Sequence, residues 1–370
     1  MAASVEKDDV CNMQYTSGTT GFPKGVMLTH YNVVNNGKYI GDHMELSTAD
    51  RMMIQVPMFH CFGMVLSMTA SMTHGATMYP LPYFSPKPAL ACVHNEHITA
   101  FNGVPTMFIA MMQHEDFEKT DFSYMRIGTM AGANCPADLM KKAAQPEVMN
   151  MREIVSVYGQ TEAAPGCTMS SYYDSLEVRT ETVGSAFANV ECKIIDPETG
   201  LDCPDGVNGE FVARGYNIMK GYYKMPKATA ETIDADGWLH TGDMGTIDAD
   251  HNIFLRGRSK TMILMSGGQN VYPEEIEADM QKIEGVPDDV TSIDNILPAA
   301  GGKATHLVII GFNEKGITTG DSLYPVCNLL HFAGNALRFP KAFPVQQCAV
   351  FPIKLLNSNL QIRILLVAPL

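Results

Sequence analysis

One stretch of eleven residues, Tyr15 to Gly25, constrains this chain more than any other part of its sequence. It reads YTSGTTGFPKG and combines Ser and Thr hydroxyls, three glycines and the cation of Lys24. Glycines let backbone N–H groups approach an anion closely, and hydroxyls and an ammonium add further donors. The hydroxyls and glycines belong to Thr16, Ser17, Gly18, Thr19, Thr20, Gly21 and Gly25. This pattern favours a loop that holds a polyphosphate over an ordinary polar turn.

The order of residues in this loop disfavours a standard P-loop. In that motif, G-x-x-x-x-G-K-[ST], the Ser or Thr after the lysine binds Mg²⁺. Here Gly25 follows Lys24, and the hydroxyls come earlier. Val10 to Tyr15 predicts a short buried strand before the loop, and Thr29 is placed to cap a helix over Tyr31–Asn36. The loop is therefore expected between a strand and a helix.

Composition limits the classes of protein that this chain can belong to. Its 370 residues are enough for two or three domains, and 46% hydrophobic with 18% charged residues is typical of a globular protein. The net charge of −14 argues against broad binding to nucleic acid or to an anionic membrane. The apolar runs are too short for an integral membrane segment, and the N-terminus lacks a signal-peptide core. The nine cysteines form no C-x-x-C pair, so a reduced, cytoplasmic protein without zinc is expected.

Apolar runs and helical patterns alternate between Met52 and Gly166. The predicted strands are Met52–Gln55, Thr77–Tyr79, Ile98–Asn102, Arg126–Met130 and Ile154–Tyr158, and the predicted helices are Phe62–Met72, Pro88–His94, Pro105–His114 and Pro136–Ala144. Such alternation predicts an α/β fold with a mostly parallel, doubly wound sheet. Ligands bind such sheets at the carboxyl ends of the strands. The loops Met130–Asn134 and Tyr158–Glu162 follow strands, so both are expected to contact a ligand.

The pattern changes after Tyr173. Strand-like runs at Val190–Ile195, Gly209–Ala213 and Asn252–Leu255 predict a small antiparallel β subdomain. Arg256 to Lys260 is a polar, basic joint, and a strand over Met262–Met265 and a helix from Pro273 are predicted beyond it. We therefore expect an α/β part over residues 1–172, the β subdomain over 173–257, and a small C-terminal domain over 258–370 that is atypical after 280.

Three short motifs carry groups suited to a nucleotide. Tyr158 can stack on a planar base, Thr161 can donate to a phosphate oxygen, and Glu162 can hold Mg²⁺ through oxygen ligation. Asp243 can accept both hydroxyls of a ribose. Each also has a plainer interpretation, because a turn with a surface glutamate and a hairpin aspartate are common.

Three basic or imidazole groups have similarly open roles. Arg258 can donate to ribose or phosphate in a forked geometry, and Lys260 lies beside it, although both also suit a solvated basic linker. His60 lies in the apolar stretch PMFHCFG. It is either a wall of an active site or a satisfied core residue.

Taken in order along the chain, these motifs resemble the adenylate-forming superfamily of acyl-CoA synthetases, luciferases and adenylation domains. The resemblance rests on five motifs between about Asp9 and Asp279, namely YTSGTTGFPKG, VYGQTEAAP, GEFVARG with MKGYYK, GWLHTGDMG and GRSKTMILMSGGQNVYPEEIE. Within that superfamily the sequence is most similar to fatty acyl-CoA synthetases of the medium-chain type. The resemblance implies an adenylate-forming fold with an incomplete large N-terminal domain and a remnant small α+β C-terminal domain.

The resemblance also implies a reaction and a set of roles. A carboxylic acid would attack the α-phosphate of Mg·ATP to give acyl-AMP, and CoA would then displace AMP after the C-terminal domain rotates. The loop from Thr16 to Gly21 and Lys24 would hold the β- and γ-phosphates. The remaining implied contacts are Gly132, Ala133 and Tyr158 at adenine, Thr161 at the α-phosphate, Glu162 at Mg²⁺, Asp243 and Arg258 at ribose, Lys260 at the hinge, and Ser266, Gly267 and Gly268 near the CoA arm.

The sequence departs from the family pattern in two places. The family has a large region before the phosphate loop, where this chain has about ten residues, and the family's C-terminal P-x-x-x-x-G-K segment has no counterpart between Leu323 and Leu370. A truncated or frame-disrupted gene product is therefore expected. Three functions stay open: an acyl-CoA synthetase, a nucleotide-binding chain that does not catalyse, and an adenylating enzyme that uses a carrier protein. The acid, the acceptor and the oligomeric state, a homodimer included, are not fixed by the sequence.

Overall fold

A computed structural model of the chain describes residues 4–16, 23–133 and 135–259, and beyond them the backbone of five further strands. The chain divides into two units, Met1–Leu255 and Arg256–Leu370. The strands up to residue 258 are β1 (Val10–Thr16), β2 (Lys24–Thr29), β3 (Arg51–Ile54), β4 (Thr77–Pro80), β5 (Ala100–Gly103), β6 (Ile127–Met130), β7 (Val155–Gly159), β8 (Gly166–Met169), β9 (Ser185–Ala186), β10 (Val190–Ile195), β11 (Gly209–Gly215), β12 (Gly221–Tyr222), β13 (Leu239–Ile247) and β14 (Ile253–Arg258).

The α-helices are α1 (His30–His43), α2 (Ala70–His74), α3 (Pro86–Glu96), α4 (Pro105–Met112), α5 (Ala137–Ala144), α6 (Leu176–Glu181) and α7 (Pro226–Thr232). A π-helical segment, Phe62–Thr69, precedes α2, and short 3₁₀ turns occur at Phe117–Lys119 and Thr161–Ala163. The helix predicted over Phe62–Met72 is thus present, but most of it has the wider π geometry.

A seven-stranded sheet organises the first unit. Its order is β4-β3-β5-β6-β7-β8-β9, and the strands from β4 to β7 pair in parallel. β8 and β9 continue the sheet in antiparallel orientation. The predicted strands and the mostly parallel sheet are confirmed, and the antiparallel extension is a feature that the sequence analysis missed.

Helices cover both faces of this sheet, because its strands bury side chains in both directions. Met52 and Ile54 of β3 pack in a core with α1 and the π-helical segment. Met53, between them, packs in a second core with Leu90 of α3 and Phe108 of α4. Alternation along a strand sends neighbouring side chains to opposite faces, so a strand covered on both faces buries consecutive apolar residues, as Met52, Met53 and Ile54 do.

The loop predicted to hold polyphosphate is preceded and followed by strands. β1 and β2 form an antiparallel hairpin in which Thr16 pairs with Lys24. The predicted helix over Tyr31–Asn36 lies within α1, but it does not follow the loop directly, because the strand Lys24–Thr29, which buries Val26 and Leu28, comes between them. Thr29 then caps α1 as predicted, and its hydroxyl accepts the Asn32 N–H at 3.2 Å while Asn32 accepts the Thr29 N–H at 2.8 Å.

The first strand of the hairpin differs from its prediction in burial. Val10–Thr16 is a strand, but most of its residues are exposed and Gln14 is its buried one. The sequence VCNMQY is apolar enough to suggest a core strand. In the structure this strand pairs on one side with β2, which in turn pairs with the short strand β12.

The antiparallel region contains a four-stranded sheet in the order β10-β11-β13-β14. The sequence analysis predicts three of these strands but not the fourth, β13, which continues through Asp243. The pairing register between β11 and β13 shifts within β13: Glu210 pairs with Met244, whereas Val212 pairs with His240. The extra residues form a bulge inside β13, and Gly242 supplies its left-handed backbone conformation at φ +73°.

The second unit is described by its backbone strands. β15 (Ile263–Leu264) pairs with β16 (Asn270–Val271), and β17 (His306–Phe312), β18 (Cys348–Lys354) and β19 (Gln361–Val367) form a sheet in the order β17-β19-β18. The predicted strand over Met262–Met265 overlaps β15. The helix predicted from Pro273 lies outside the described residues. Among those described, no helix is long and apolar enough to cross a membrane.

Candidate active site

The carboxyl ends of four parallel strands bring separate parts of the sequence to one edge of the sheet. β3, β5, β6 and β7 are consecutive in the sheet order. The loops that leave them carry, respectively, His60, Val104, Gly132 and Glu162. This is the edge at which open α/β sheets bind ligands.

Gly132 and Ala133 form an exposed corner after β6. Gly132 has φ +81°, a conformation that favours glycine, and a Cβ there would lie 3.2 Å from Cγ1 of Val104. Phe62 Cδ1 would lie 3.7 Å from the same position. A bare backbone at an exposed corner lets a flat ligand approach closely, which suits the role expected for these two residues.

Lys24 and Glu162 are linked through a residue that the sequence analysis did not single out. The Nζ of Lys24 lies 4.7 Å from the centroid of the Tyr222 ring. The Tyr222 hydroxyl donates a hydrogen bond to Oε1 of Glu162 at 2.7 Å. The structure thus brings the predicted phosphate cation to the ring of one tyrosine and the predicted metal ligand to the hydroxyl of the same side chain.

Tyr222 is held firmly in this position. It lies in β12, pairs with Val26 of β2, and is 5% exposed. Its backbone N–H donates to the Thr229 hydroxyl at 2.9 Å. Burial, together with the nearby charge of Glu162, raises the pKa of the Tyr222 phenol, so the hydroxyl stays protonated and serves as a donor.

The hairpin and the π-helical segment meet beside the same glutamate. The Cys61 thiol donates to Oε1 of Gln14 at 2.9 Å. Burial and then the charge of Glu162 raise the pKa of Cys61 to about 12, so this thiol is neutral at physiological pH. A protonated thiol can donate to Gln14 but is a poor nucleophile, and we assign it no chemistry.

His60 is exposed at the end of the loop after β3. Its Nδ1 accepts the backbone N–H of Phe62 at 3.1 Å, which leaves Nε2 as the ring's other polar atom. Partial desolvation by the surrounding protein lowers the pKa of His60, so the neutral imidazole predominates at pH 7. Exposure agrees better with a wall position than with a satisfied core histidine, and a catalytic role for His60 stays a prediction.

The predicted adenine and ribose residues are also in contact. The Tyr158 hydroxyl, at the end of β7, donates to Oδ2 of Asp243 at 2.6 Å. The Tyr158 ring packs edge-on against Phe211, with centroids 5.2 Å apart. Burial and the Asp243 carboxylate raise the pKa of Tyr158 well above its usual value, so the phenol remains a donor.

The bulge in β13 positions Asp243. The Thr241 hydroxyl donates to the Phe211 carbonyl at 2.6 Å and accepts the Asp243 N–H at 3.1 Å. Glu210 on the neighbouring strand accepts the Gly242 N–H at 3.0 Å, and its other oxygen lies 3.0 Å from Nδ1 of His240. These contacts fix the backbone that leads into the aspartate.

Thr161 and Arg258 lie at the ends of other elements, and the remaining predicted residues lie outside the described part. Thr161 begins the 3₁₀ turn after β7, and its carbonyl accepts the Ala164 N–H at 3.3 Å. Arg258 is the last residue of β14. The residues Ser17, Gly18, Thr19, Thr20, Gly21, Lys260, Ser266, Gly267 and Gly268 lie outside the described residues. Their roles stay predictions.

Comparison with known proteins identifies the class of this chain. Residues 1–223 match the family described as AMP-binding enzyme. The chain belongs to that family.

Several named relatives are similar over most of this chain. YngI of Bacillus subtilis (strain 168) is 49% identical over 294 residues, which are 77% of this chain and 53% of the relative. The acyl-CoA ligase sidI of Aspergillus fumigatus is 42% identical over 299 residues, 77% of this chain and 50% of the relative. The mitochondrial medium-chain acyl-CoA ligase ACSF2 of Rattus norvegicus is 39% identical over 294 residues, 76% of this chain and 47% of the relative. This chain therefore spans about half the length of these relatives.

Solved structures show the same fold. ATP-bound MatB from Rhodopseudomonas palustris superimposes with a TM-score of 0.69 at 31% identity, covering 77% of this chain and 55% of MatB. The o-succinylbenzoate coenzyme A synthetase MenE of Bacillus subtilis, in complex with AMP, gives a TM-score of 0.67 at 26% identity, with 76% of this chain and 56% of MenE covered. The predicted membership of the superfamily and its fold are confirmed.

Proposed function

We propose that this chain binds Mg·ATP at the carboxyl edge of the parallel sheet and activates a carboxylic acid as acyl-AMP, for transfer to CoA. The observation that carries the proposal is the arrangement of Lys24, Tyr222 and Glu162. A cation over the ring and a carboxylate at the hydroxyl contact the same protonated tyrosine. The relatives named acyl-CoA ligase support this reaction class, and the ATP-bound structural neighbour supports the use of ATP.

The donor set of these residues suits magnesium and phosphate. Mg²⁺ is usually held by one or two carboxylates together with substrate phosphates and water. Glu162 is one such carboxylate, and the described residues contain no cluster of three or more metal-binding side chains. The metal would therefore be shared between Glu162 and the nucleotide, while Lys24 would neutralise the pyrophosphate side.

The chain's own residues would act mainly by positioning the nucleotide and the acid for the reaction. Displacement at phosphorus depends on in-line geometry and on neutralising charge more than on a protein nucleophile. Tyr158 and Asp243 would hold the nucleoside end, and Gly132 and Ala133 would leave room for the base. The hydroxyl of Thr161 would donate to the α-phosphate, where charge develops.

Of the two acceptors considered, we propose CoA, since the relatives are named acyl-CoA ligases. A medium-chain fatty acid is the proposed substrate class, as the resemblance implies and as the name of ACSF2 supports. The acyl pocket would lie between His60, the end of β5 and the Tyr158–Gly166 segment.

Nucleotide binding without catalysis is the second candidate. It is favoured by the absence of a Gly-Lys pair between Leu323 and Leu370, where the family's lysine would be expected. ATP–pyrophosphate exchange with straight-chain acids of about four to twelve carbons separates the two. Exchange above the acid-free background supports the proposal. ATP or AMP binding without exchange supports the second candidate, and absence of both overturns the nucleotide site itself.

A further inference from the structure

Lys24 and Glu162 carry opposite charges and both contact Tyr222, but no ion pair joins them among the described residues. Lys24 lies over the Tyr222 ring at 4.7 Å, and Glu162 accepts the Tyr222 hydroxyl at 2.7 Å. The other close lysine–carboxylate contacts of the first unit, such as Lys38 with Asp42 and Lys193 with Asp202, are direct. Both charged groups therefore contact the buried tyrosine and make no direct pair with each other.

We infer that Tyr222 is a positioning residue that keeps Lys24 and Glu162 apart and orients each for a different ligand. The ring offers its negative face to the ammonium, and the hydroxyl fixes one carboxylate oxygen. Both groups then stay available, Lys24 for phosphate oxygens and Glu162 for the metal. This inference rests on the proposed function for the identity of those ligands.

The local packing explains how the Tyr222 side chain can hold both Lys24 and Glu162. Tyr222 is anchored by strand pairing with β2, the strand that begins with Lys24. The backbone next to it receives a second anchor, because the Met219 N–H donates to the Glu162 carbonyl at 2.8 Å. The hairpin strand, the β12 segment and the 3₁₀ turn are thereby tied together around the tyrosine.

Two substitutions of Tyr222 test the contact of its hydroxyl separately from the contact of its ring. Tyr222→Phe keeps the ring and removes the hydroxyl, so it should raise the Mg²⁺ concentration for half-maximal ATP–pyrophosphate exchange by about tenfold, the order expected for a lost bond to a charged group. Pyrophosphate affinity measured calorimetrically in EDTA should stay within about twofold. Tyr222→Leu removes both the ring and the hydroxyl and should also lower that affinity about tenfold. Tyr39→Phe, which alters a hydroxyl bonded to Asn189 at 2.8 Å, is the matched control.

A second measurement tests the separation without any enzyme activity. Lysines of the full chain are ¹³C-dimethylated, and the Lys24 resonance is assigned by Lys24→Arg. Glu162→Gln should move this resonance little in the wild-type background and clearly in the Tyr222→Leu background, where the two charges can meet. The Lys38 resonance, from a lysine 5.2 Å from the Tyr39 ring centroid, should not respond in either background.

The outcomes distinguish this inference from the proposed function. An equal response of Lys24 to Glu162→Gln in both backgrounds overturns the inference whether or not the chain is active. An unchanged Mg²⁺ requirement in Tyr222→Phe, with normal wild-type exchange, overturns it and leaves the proposed function intact. Absence of nucleotide binding by the wild-type chain overturns the proposed function, and the resonance experiment still decides the role of Tyr222.

Discussion

The hydroxyl of Tyr158 donates a 2.6 Å hydrogen bond to Asp243, 85 residues further along the chain. Asp243 is 9% exposed, so its carboxylate depends on such donors in place of water. Tyr158→Phe should lower the free energy of unfolding by about 2 kcal/mol, since a bond to a charged group is lost. It should also weaken AMP binding about tenfold, because the carboxylate loses its orientation. Urea unfolding and calorimetric titration with AMP measure the two effects, and a loss of stability with unchanged AMP affinity would remove Asp243 from the ribose site.

Gly242 allows a test of the bulge with unusually close controls. Gly242, Gly200 and Gly206 have φ of +73°, +72° and +76°, and a Cβ at any of them would meet no atom within 4 Å. Alanine at each should therefore cost about 1 kcal/mol of unfolding free energy through backbone strain alone. Gly242→Ala should in addition weaken AMP binding, because it disturbs the backbone that carries Asp243. Equal AMP affinity for the three variants would show that the bulge does not serve the nucleotide.

Lys24 should distinguish the pyrophosphate side of the ligand from the AMP side. Lys24→Ala removes a cation that, on the proposed arrangement, faces only the β- and γ-phosphates. Pyrophosphate affinity should fall about tenfold or more, as for a charged hydrogen bond, with AMP affinity within about twofold. Lys38→Ala, which removes a lysine paired with Asp42, is the control and should change neither affinity. An equal loss for both ligands would argue against a phosphate-specific role.

Glu162 is expected to set the metal requirement. Glu162→Gln keeps the size of the side chain and can still accept from Tyr222, but it removes the charge that a hard cation prefers. The Mg²⁺ concentration for half-maximal ATP–pyrophosphate exchange should rise about tenfold, because one charge-assisted contact is lost. Glu177→Gln alters an exposed glutamate on α6 and should leave that concentration unchanged. A variant with the wild-type Mg²⁺ dependence would reject Glu162 as the metal ligand.

The parallel sheet could be predicted because its strands are short apolar runs between helical patterns, and the two cores simply follow from their alternation. The bulge at Asp243 could not be predicted, because a glycine before an aspartate also suits a tight turn. Only the pairing with β11 shows that the strand continues. Tyr222 was part of a recognised motif, yet its importance depends on contacts with Lys24 and Glu162 that are far apart in sequence. The local sequence pattern predicts whether a segment is a helix or a strand. Which side chains from distant segments come together is visible only in the folded structure.

Burial of cysteine thiols predicts a loss of stability at alkaline pH. The pKa of Cys61 is raised from 9.0 to about 12, chiefly by burial, and those of Cys135 and Cys192 are also raised to about 12. Between pH 9 and 12 the unfolded chain releases these protons while the folded chain retains them. The folded state then binds more protons, so the free energy of unfolding falls as pH rises through this window and is at its full value below pH 9.

Cys61→Ala isolates one of these contributions. It should lower stability at pH 7 modestly, because Gln14 loses its thiol donor, but the decline between pH 9 and 12 should be less steep than in the wild type. Urea unfolding at half-unit pH intervals from 7 to 11, under reducing conditions, gives both slopes. Because Tyr158 and Tyr222 also have raised pKa values, part of the decline should persist above pH 10 in the variant. Identical slopes in the two proteins would mean that the Cys61 thiol ionises in the folded chain as readily as in the unfolded one, and that the contact with Gln14 does not protect it.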